Sequence, residues 1–238
     1  MALILVTGAS SGLGYATANA LAWEGHDVVV HARTPARVAV PTGGGRWAGV
    51  ATGNLAEMSE IPGVARQAAA FGRFDVVIHN AGTMHSPEAA TVNTIAPYLL
   101  TALLDKPSKL IYLSSSMHRG GSTDLARLAD GTASYSDSKL WVTALAMAVA
   151  SWWEGTAVHA VDPGWVPTRM GGPGATDDLA AGHQTQVWLA THDDITPSTG
   201  GYWYHQHAQD PHSATHDPKF QDRLLQALEE RTGVRLDR

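Results

Sequence analysis

Cysteine is absent from this chain of 238 residues, which excludes disulfides, thiol nucleophiles and thiolate metal sites. No apolar run approaches the ~20 residues that a membrane-spanning helix needs. Basic residues form no cluster and the formal net charge is −6, so nucleic acid is not expected as a partner. Since the first predicted strand begins at residue 2 or 3, we expect no secretory leader and predict a soluble, cytoplasmic protein that binds no membrane.

Short apolar runs that predict strands alternate with longer segments of helical periodicity. The predicted strands are 3–7, 27–31, 47–51, 75–79, 109–114, 156–161 and 201–204. The predicted helices are 12–24, 60–70, 91–104, 133–153, 176–191 and 218–231. This order predicts one α/β domain over residues 1–238, a doubly wound Rossmann fold with a seven-stranded, mainly parallel sheet and helices on both faces. Residues 34–46 contain prolines and glycines that leave little room for a helix.

A Gly-rich turn, TGASSGLG at residues 7–14, lies between the first predicted strand and the first predicted helix. This context is that of a dinucleotide-binding fingerprint, in which glycines allow a tight turn and a close backbone approach to a pyrophosphate. The helix N-terminus adds amide donors and a partial positive charge. The spacing is G-x-x-x-G-x-G, and an ordinary Gly-rich loop is the alternative.

Tyr135 and Lys139 lie four residues apart in a segment that is predicted to be helical. That spacing places both side chains on one helix face, one turn apart. A free tyrosine titrates near ~10, and a fixed positive charge nearby lowers the pKa of a phenol toward the range of efficient proton transfer. The pair is a candidate acid/base, although the spacing also arises by chance.

Twelve histidines raise the question of a metal site, above all His205, His207, His212 and His216. The segment that carries them is typical of a strand end followed by a loop, so convergent ligands are not expected. We predict no metal and interpret these residues as part of a solvated loop with pH-sensitive charge.

Together these segments resemble the single-domain branch of the short-chain dehydrogenase/reductase family. The Gly-rich turn and the Tyr-x-x-x-Lys pair carry the resemblance, and further matches follow in the family's order. Residues 80–82 resemble the family's Asn-Asn-Ala-Gly, with His79 in place of the first Asn, and residues 163–168 resemble the Pro-Gly turn that meets the nicotinamide. The resemblance covers residues 1 to about 170, and the tail is less specifically similar to the retinol-dehydrogenase-like branch.

The resemblance implies a nicotinamide dinucleotide as cofactor. The residues implied to bind it are Gly8, Ser10, Ser11, Gly12, Leu13, Gly14, Arg33, Asn54, Leu55, Asn80, Ala81, Gly82, Tyr135, Lys139, Pro163, Gly164, Val166 and Thr168. Ala32 stands where a carboxylate would hold a ribose with two free hydroxyls. Arg33 follows and can pair with a 2′-phosphate, so NADP(H) is predicted over NAD(H); the alternative is that Arg33 faces solvent. Asn54, where the family has Asp, keeps an oxygen acceptor for the adenine amine.

The resemblance also implies the catalytic groups. Tyr135 would exchange a proton with the carbonyl or alcohol oxygen, and Lys139 would lower the pKa of Tyr135 and bind the nicotinamide ribose. A serine hydroxyl would hold the carbonyl oxygen, and Asn93 would help to position a proton-relay water; an ordinary helix residue is the alternative for Asn93.

Three serines at residues 114–116 compete for the catalytic role. Ser115 is preferred because residues 114–118 resemble the branch's Ser-Ser-x-x-His stretch, in which the second serine acts. Ser114 and Ser116 are alternatives, and strand-end serines also often do no more than satisfy backbone groups.

The Gly/Pro-rich segment at 165–174 can act as a hinged lid over a substrate. Together with Met84, Met117, His118 and Trp165 it predicts a mainly apolar substrate pocket.

The segment 140–153 is apolar nearly all round, so its helix is expected to be buried on more than one side. One side would pack on the sheet and the other on a symmetry mate in a homodimer or homotetramer, as in the family. Complete burial within the chain is the alternative.

The predicted function is that of an NADP(H)-dependent oxidoreductase that interconverts a carbonyl and an alcohol, with Tyr135 as general acid/base and a small or medium, largely apolar substrate. Two alternatives stay open: an NAD-linked alcohol dehydrogenase, and a dinucleotide-binding sensor or scaffold without turnover.

Overall fold

The computed structural model describes residues 1–43 and 45–238, and a twisted sheet runs through its centre. The strands are β1 (Leu3–Val6), β2 (Asp27–Ala32), β3 (Gly49–Thr52), β4 (Val76–His79), β5 (Lys109–Leu113), β6 (Ala157–Asp162), β7 (Gly201–Tyr204) and β8 (His207–Gln209). Their order in the sheet is β3-β2-β1-β4-β5-β6-β7-β8. The first seven strands are parallel, with register pairs such as Leu5 with Val29 and Tyr112 with Ala160.

Helices connect the parallel strands and cover both faces of the sheet. They are α1 (Gly12–Trp23), α2 (Ile61–Ala69), α3 (Glu88–Ala90), α4 (Ala96–Leu103), α5 (Ala126–Asp130), α6 (Tyr135–Trp152), α7 (Leu179–Thr191) and α8 (Pro218–Thr232). A π-helical turn at Thr91–Ile95 joins α3 to α4. One apolar core packs α2, α4, α6 and α8 on one face, and a second packs α1 and α7 on the other.

The doubly wound fold and the seven predicted strands are confirmed, but the predicted strand count is one too low. The eighth strand, β8, pairs antiparallel with β7. The turn between them places His205 and Gln206 at φ of 47° and 64°, the left-handed conformations that a two-residue hairpin requires. Because neither residue is Gly, Asn or Asp, the sequence gives no hairpin signal, and the segment was expected to be a loop.

The segment between β2 and β3 holds no full helix in the part that the structure describes, in agreement with its prolines. A short 3-10 turn at Pro35–Arg37 is its helical content there. No helix among the described residues is long and apolar enough to cross a membrane.

Helix α6 is buried by its own chain. Every residue from Asp137 to Val149 is buried, and the helix contacts β5 and β6 on one side and α8 on another. Intramolecular burial, the alternative that the sequence left open, therefore accounts for its apolar surface, and the homodimer or homotetramer stays a prediction.

The N-terminus of α6 is fixed by a capping box. The Ser134 hydroxyl accepts the Asp137 N–H at 3.1 Å, and the Asp137 carboxylate accepts the Ser134 N–H at 2.9 Å. Asp137 also accepts the Ser122 N–H at 2.7 Å and pairs with Arg127 at 3.1 Å. This cap sets where α6 begins, and Tyr135 is its first residue.

Ser134→Ala is expected to lower the free energy of unfolding by about 1 kcal/mol, since an N-cap hydroxyl is lost. Urea denaturation measures the change. Ser136→Ala in the same first turn is the matched control and should change stability by less than about 0.5 kcal/mol. Equal losses in the two variants would show that the cap is not what stabilises this end of α6.

Candidate active site

The Gly-rich loop after β1 is locked against the turn after β4. The Asn80 amide donates to the Thr7 carbonyl at 2.9 Å, and the Ala81 N–H donates to the Thr7 hydroxyl at 3.0 Å. Gly8 has φ +66°, and a Cβ there would lie 2.7 Å from the Cα of Ala81. Only glycine fits this contact, so the loop and the turn form one rigid wall.

His31, at the end of β2, joins this wall to the end of β3. Its Nδ1 accepts the Gly8 N–H at 3.2 Å, so the ring proton lies on Nε2, which donates to the Gly53 carbonyl at 2.9 Å. Burial lowers the pKa of His31 and the Gly53 hydrogen bond opposes that shift. The neutral imidazole therefore fixes the third side of the same cleft.

The cleft between these segments has a volume of about 240 Å³. Its charged lining residues are Arg33, Arg37, Lys139 and Arg169, and no carboxylate lines it among the described residues. Helix α1 opens into it with no acidic residue in its first turn and no side-chain cap from Ser11. In a chain of net charge −6, this is a site for an anionic ligand.

Lys139 is buried at the inner end of the cleft. It is 4% exposed, and its Nζ donates to the Leu113 carbonyl at 2.7 Å. The Nζ lies 5.6 Å from the centroid of the Tyr135 ring, as the i,i+4 spacing predicts. Burial lowers the pKa of Lys139 to about 8, and the Asp162 carboxylate opposes that shift.

The pKa of the Tyr135 phenol is shifted in the direction opposite to the one that the sequence predicts. Burial raises the pKa of Tyr135, the Ser115 hydroxyl acts to lower it, and the Asp162 carboxylate raises it further. The predicted depression by Lys139 is therefore not what this structure shows, because loss of hydration disfavours the phenolate. At neutral pH the phenol is a proton donor.

The three adjacent serines have different surroundings. The Ser114 hydroxyl is buried and lies 2.6 Å from that of Thr143. Ser115 caps the 3-10 turn Ser116–Gly120, and its hydroxyl accepts the Met117 N–H at 3.2 Å. The Ser115 hydroxyl acts to lower the pKa of the Tyr135 phenol, while Ser114 lines the cleft, so the choice of Ser115 over Ser114 stays a prediction.

Asn93 lies in the π-helical turn, a distortion that is frequent at functional sites. Its side chain accepts the Thr83 N–H at 2.8 Å and donates to the Thr83 carbonyl at 2.9 Å. It also donates to the Ser138 hydroxyl at 2.9 Å. Asn93 thus ties the loop after Gly82 to the first turn of α6.

Comparison with known proteins agrees with this geometry. A profile described as short chain dehydrogenase matches residues 2–99. The short-chain dehydrogenase chyC of Penicillium rubens is 36% identical over 256 aligned positions, which cover 99% of each chain. The chain belongs to the short-chain dehydrogenase/reductase family.

Solved structures show the same fold. A protein from Mycobacterium paratuberculosis superposes with a TM-score of 0.80 at 22% identity, covering 100% of this chain and 96% of that one. A protein from Escherichia coli described as a short chain dehydrogenase complexed with NADPH superposes with a TM-score of 0.69 at 24% identity, covering 87% and 97%.

Most of the residues that the sequence assigned to this short-chain dehydrogenase site line one cleft. They are Gly8, Ser10, Ser11, Gly12, Leu13, Gly14, Arg33, Asn54, Leu55, Asn80, Ala81, Gly82, Tyr135, Lys139, Pro163 and Thr168. Asn93, Ser115, Gly164 and Val166 lie outside this lining. Val166 is buried in the loop after β6, where its carbonyl accepts the Thr168 N–H at 2.8 Å.

The residues assigned to the substrate pocket divide into two groups. Met84, Met117 and Trp165 are half exposed, at 49%, 47% and 54%, on loops that follow β4, β5 and β6. The assignment of His118 to the pocket lining is wrong in this structure, because His118 is fully buried. Its ring nitrogens bind the Ser115 carbonyl at 2.7 Å and the His212 N–H at 2.9 Å.

Sequence reasoning missed four residues at this short-chain dehydrogenase site: His31, Arg37, Asp162 and Arg169. Arg37 follows Arg33 by four residues and lines the same end of the cleft. Asp162 stands directly before the Pro-Gly turn, where a carboxylate at the end of a buried strand was a readable signal. His31 gave no signal, because its role depends on the closure of β2 against β1 and β3.

Within residues 1–43 and 45–238, no group of three or more histidine, aspartate or glutamate side chains is placed to hold a metal ion. His205 lies in the turn between β7 and β8, His207 is the first residue of β8, and the His212 ring nitrogen accepts the Ala214 N–H at 3.1 Å.

Gly8→Ala is expected to lower the free energy of unfolding by about 1–3 kcal/mol, because it combines a left-handed φ with a contact against the Ala81 backbone. Chemical denaturation measures the loss. Gly63→Ala in α2, where the new Cβ meets little, is the control and should not destabilise. A stable Gly8→Ala protein would contradict the rigid wall described above.

Proposed function

We propose that this protein is an NADP(H)-dependent carbonyl reductase in which Tyr135 donates the proton. The observation that carries the proposal is the meeting of two features in one cleft. The Tyr135 phenol lies beside the Ser115 hydroxyl and the buried Lys139 ammonium, and the same cleft extends to a Gly-rich loop and four cations without a carboxylate.

The residues present fit a nicotinamide dinucleotide phosphate. The N–H groups at the start of α1 suit a pyrophosphate, and Gly12, which lines the cleft, presents no side chain there. Gly14 is buried, and its missing side chain makes room for the Asn80 amide. Lys139 would hold the nicotinamide ribose, and Pro163 with Thr168 would border the nicotinamide. Bound NADPH would supply a hydride to the substrate's carbonyl carbon.

Side chains of the chain supply the proton and the orientation. Tyr135 would donate its phenolic proton to the carbonyl oxygen as that oxygen gains negative charge. The Ser115 hydroxyl would donate a hydrogen bond to the same oxygen. Because burial raises the pKa of Tyr135, the phenol is protonated at neutral pH, as reduction requires.

Two guanidinium groups support the choice of NADPH. Arg33 and Arg37 are exposed at one end of the cleft, and neither forms an ion pair with a carboxylate in the described part of the chain. A 2′-phosphate would give both a charge-assisted partner. The Escherichia coli relative in structure, which was complexed with NADPH, is consistent with this choice.

Exposed apolar side chains on the loops at this edge of the sheet favour an apolar substrate. Met170 lines the cleft, and Met84, Met117 and Trp165 lie on the segments that follow β4, β5 and β6. Each of the four is 45–54% exposed, which is high for large apolar residues. The Trp165 indole donates to the Gly171 carbonyl at 2.9 Å and Asp177 accepts the Trp165 N–H at 2.7 Å, so the loop after β6 is ordered.

Tyr135→Phe is expected to lower kcat for carbonyl reduction by roughly 100-fold or more, because the proton donor is removed. NADPH affinity should change little. Initial rates of NADPH oxidation with aliphatic, aromatic and polycyclic carbonyls measure kcat. Fluorescence titration measures the NADPH affinity. Tyr15→Phe, outside the cleft lining, is the matched control.

Two results would contradict the proposal. Tyr135→Phe with wild-type rates would remove the phenol from the mechanism. Tight NADPH binding by the wild type with no turnover on any carbonyl would instead favour a dinucleotide-binding sensor.

Arg33→Ala and Arg37→Ala are each expected to weaken NADPH binding about tenfold, the loss of roughly 1.4 kcal/mol from a charge-assisted contact. NADH binding should stay near the wild-type value. Calorimetric titration with both nucleotides tests this, with the exposed Arg223→Ala in α8 as control. Equal losses for NADPH and NADH would exclude recognition of a 2′-phosphate and support an NAD-linked enzyme.

A further inference from the structure

Asp162 is a buried carboxylate that the proposed chemistry does not yet use. It is the last residue of β6 and is 5% exposed. Its neighbours in the sheet are the end of β5, where the Ser114 N–H donates to the Val161 carbonyl at 2.7 Å, and β7, where Asp162 pairs in register with Tyr204. A buried carboxylate is costly unless hydrogen-bonded and paired.

Asp162 lies between two segments that border the reacting groups. Its Oδ1 accepts the Gly164 N–H at 3.0 Å, which holds the Pro-Gly turn. Burial raises the pKa of Asp162, and the Gly164 N–H, the Tyr202 hydroxyl and the Ser116 N–H, at the start of the turn that Ser115 caps, oppose that shift. Leu113, whose carbonyl accepts the Lys139 ammonium, pairs in register with Val161, the residue before Asp162.

The Tyr202 hydroxyl is a further donor available to Asp162, because His118 cannot accept its proton. His118 Nε2 accepts the His212 N–H at 2.9 Å, so the ring proton lies on Nδ1, which donates to the Ser115 carbonyl at 2.7 Å. Tyr202 lies 3.3 Å from that protonated Nδ1 and cannot donate to it. Its own proton is therefore available to the Asp162 carboxylate, whose pKa this hydroxyl acts to lower.

We propose that Asp162 is a positioning residue of this active site, which holds the Pro-Gly turn beside the Ser115 loop and places a negative charge at the sheet edge where Lys139 is bound to the Leu113 carbonyl. This role rests on the proposed function. The groups that face Asp162 are Tyr135 and Lys139 on α6, Tyr202 and Tyr204 on β7, and Asp177 in the loop before α7, while His118 and Arg119 act on it through Tyr202.

The direction of the effect is fixed by charge. Asp162 raises the pKa of Lys139 and also that of Tyr135. Removing the negative charge therefore lowers both, so Lys139 becomes neutral and Tyr135 loses its proton at lower pH. Reduction needs both groups protonated. The alkaline limb of the pH profile of its rate should therefore move toward neutral pH in a variant without this charge.

The test is a titration of Lys139 itself in the protein without nucleotide. The chain has four lysines, Lys106, Lys109, Lys139 and Lys219, so ¹³C labelling at lysine Cε gives few NMR signals. The signal that disappears in Lys139→Met is that of Lys139. Asp162→Asn keeps an oxygen for the Gly164 N–H and removes the charge. The midpoint of Lys139 should fall by about one pH unit.

Two controls separate charge from packing. Asp193→Asn removes the same charge at the opposite edge of the sheet, where Asp193 pairs with Lys109, and should leave Lys139 unchanged. Tyr202→Phe keeps the Asp162 charge and removes one donor, so the midpoint should stay near the wild-type value. A shift in Tyr202→Phe as large as in Asp162→Asn would overturn the proposal, as would an unchanged midpoint in Asp162→Asn.

The pH profile of kcat/KM for carbonyl reduction is the second readout, and its alkaline limb should move with the Lys139 midpoint. If Asp162→Asn does not fold, Asp162→Ser, which also keeps an oxygen, replaces it. Absence of carbonyl turnover in the wild type would overturn the proposed function, while the Lys139 titration would still decide the role of Asp162.

Discussion

The burial of one ammonium group is the constraint on which this site depends. Lys139 is almost fully excluded from water, and within the described residues its hydrogen-bond acceptor is the Leu113 carbonyl at 2.7 Å. Burial lowers its pKa to about 8 even though the Asp162 carboxylate opposes that shift, so part of the Lys139 population loses its charge above neutral pH. The side chains around it must therefore supply negative potential and hydrogen bonds in fixed positions.

The parallel sheet provides those positions. The carboxyl ends of parallel strands lie at one edge, and ligands of open α/β sheets bind there, outside a change in strand order. Here the order changes between β1 and β4. The Gly-rich loop, the Asn80 turn, Ser115 and Asp162 follow β1, β4, β5 and β6 at that edge, and α6 lies across them.

Local sequence patterns were sufficient for the fold and for most of the cleft. Continuous apolar runs mark buried parallel strands, and Tyr135 with Lys139 share a helix face because helical geometry requires it. What the sequence could not show depends on three-dimensional closure. The pKa of Tyr135 rises because packing removes water from the phenol, and His118 is buried by contacts with residues 94 positions away.

The missed hairpin has a similar physical origin. Residues at positive φ without glycine are rare, and the turn at His205 and Gln206 exists because β8 completes the edge beside β7. The additional strand adds a short antiparallel edge next to Tyr202 and Tyr204, the two residues of β7 that face Asp162. It therefore helps to fix the polar groups below the active site.

The most direct test of the account is the fate of the hydride. NADPH carrying deuterium at both C4 positions is incubated with the wild-type protein and the carbonyl that is reduced fastest, and the alcohol is analysed by mass spectrometry. We expect one deuterium on the former carbonyl carbon, and roughly 100-fold slower formation of the same deuterated alcohol when Tyr135→Phe replaces the wild type under the same conditions. An alcohol without deuterium, or no alcohol beside oxidised cofactor, would contradict it.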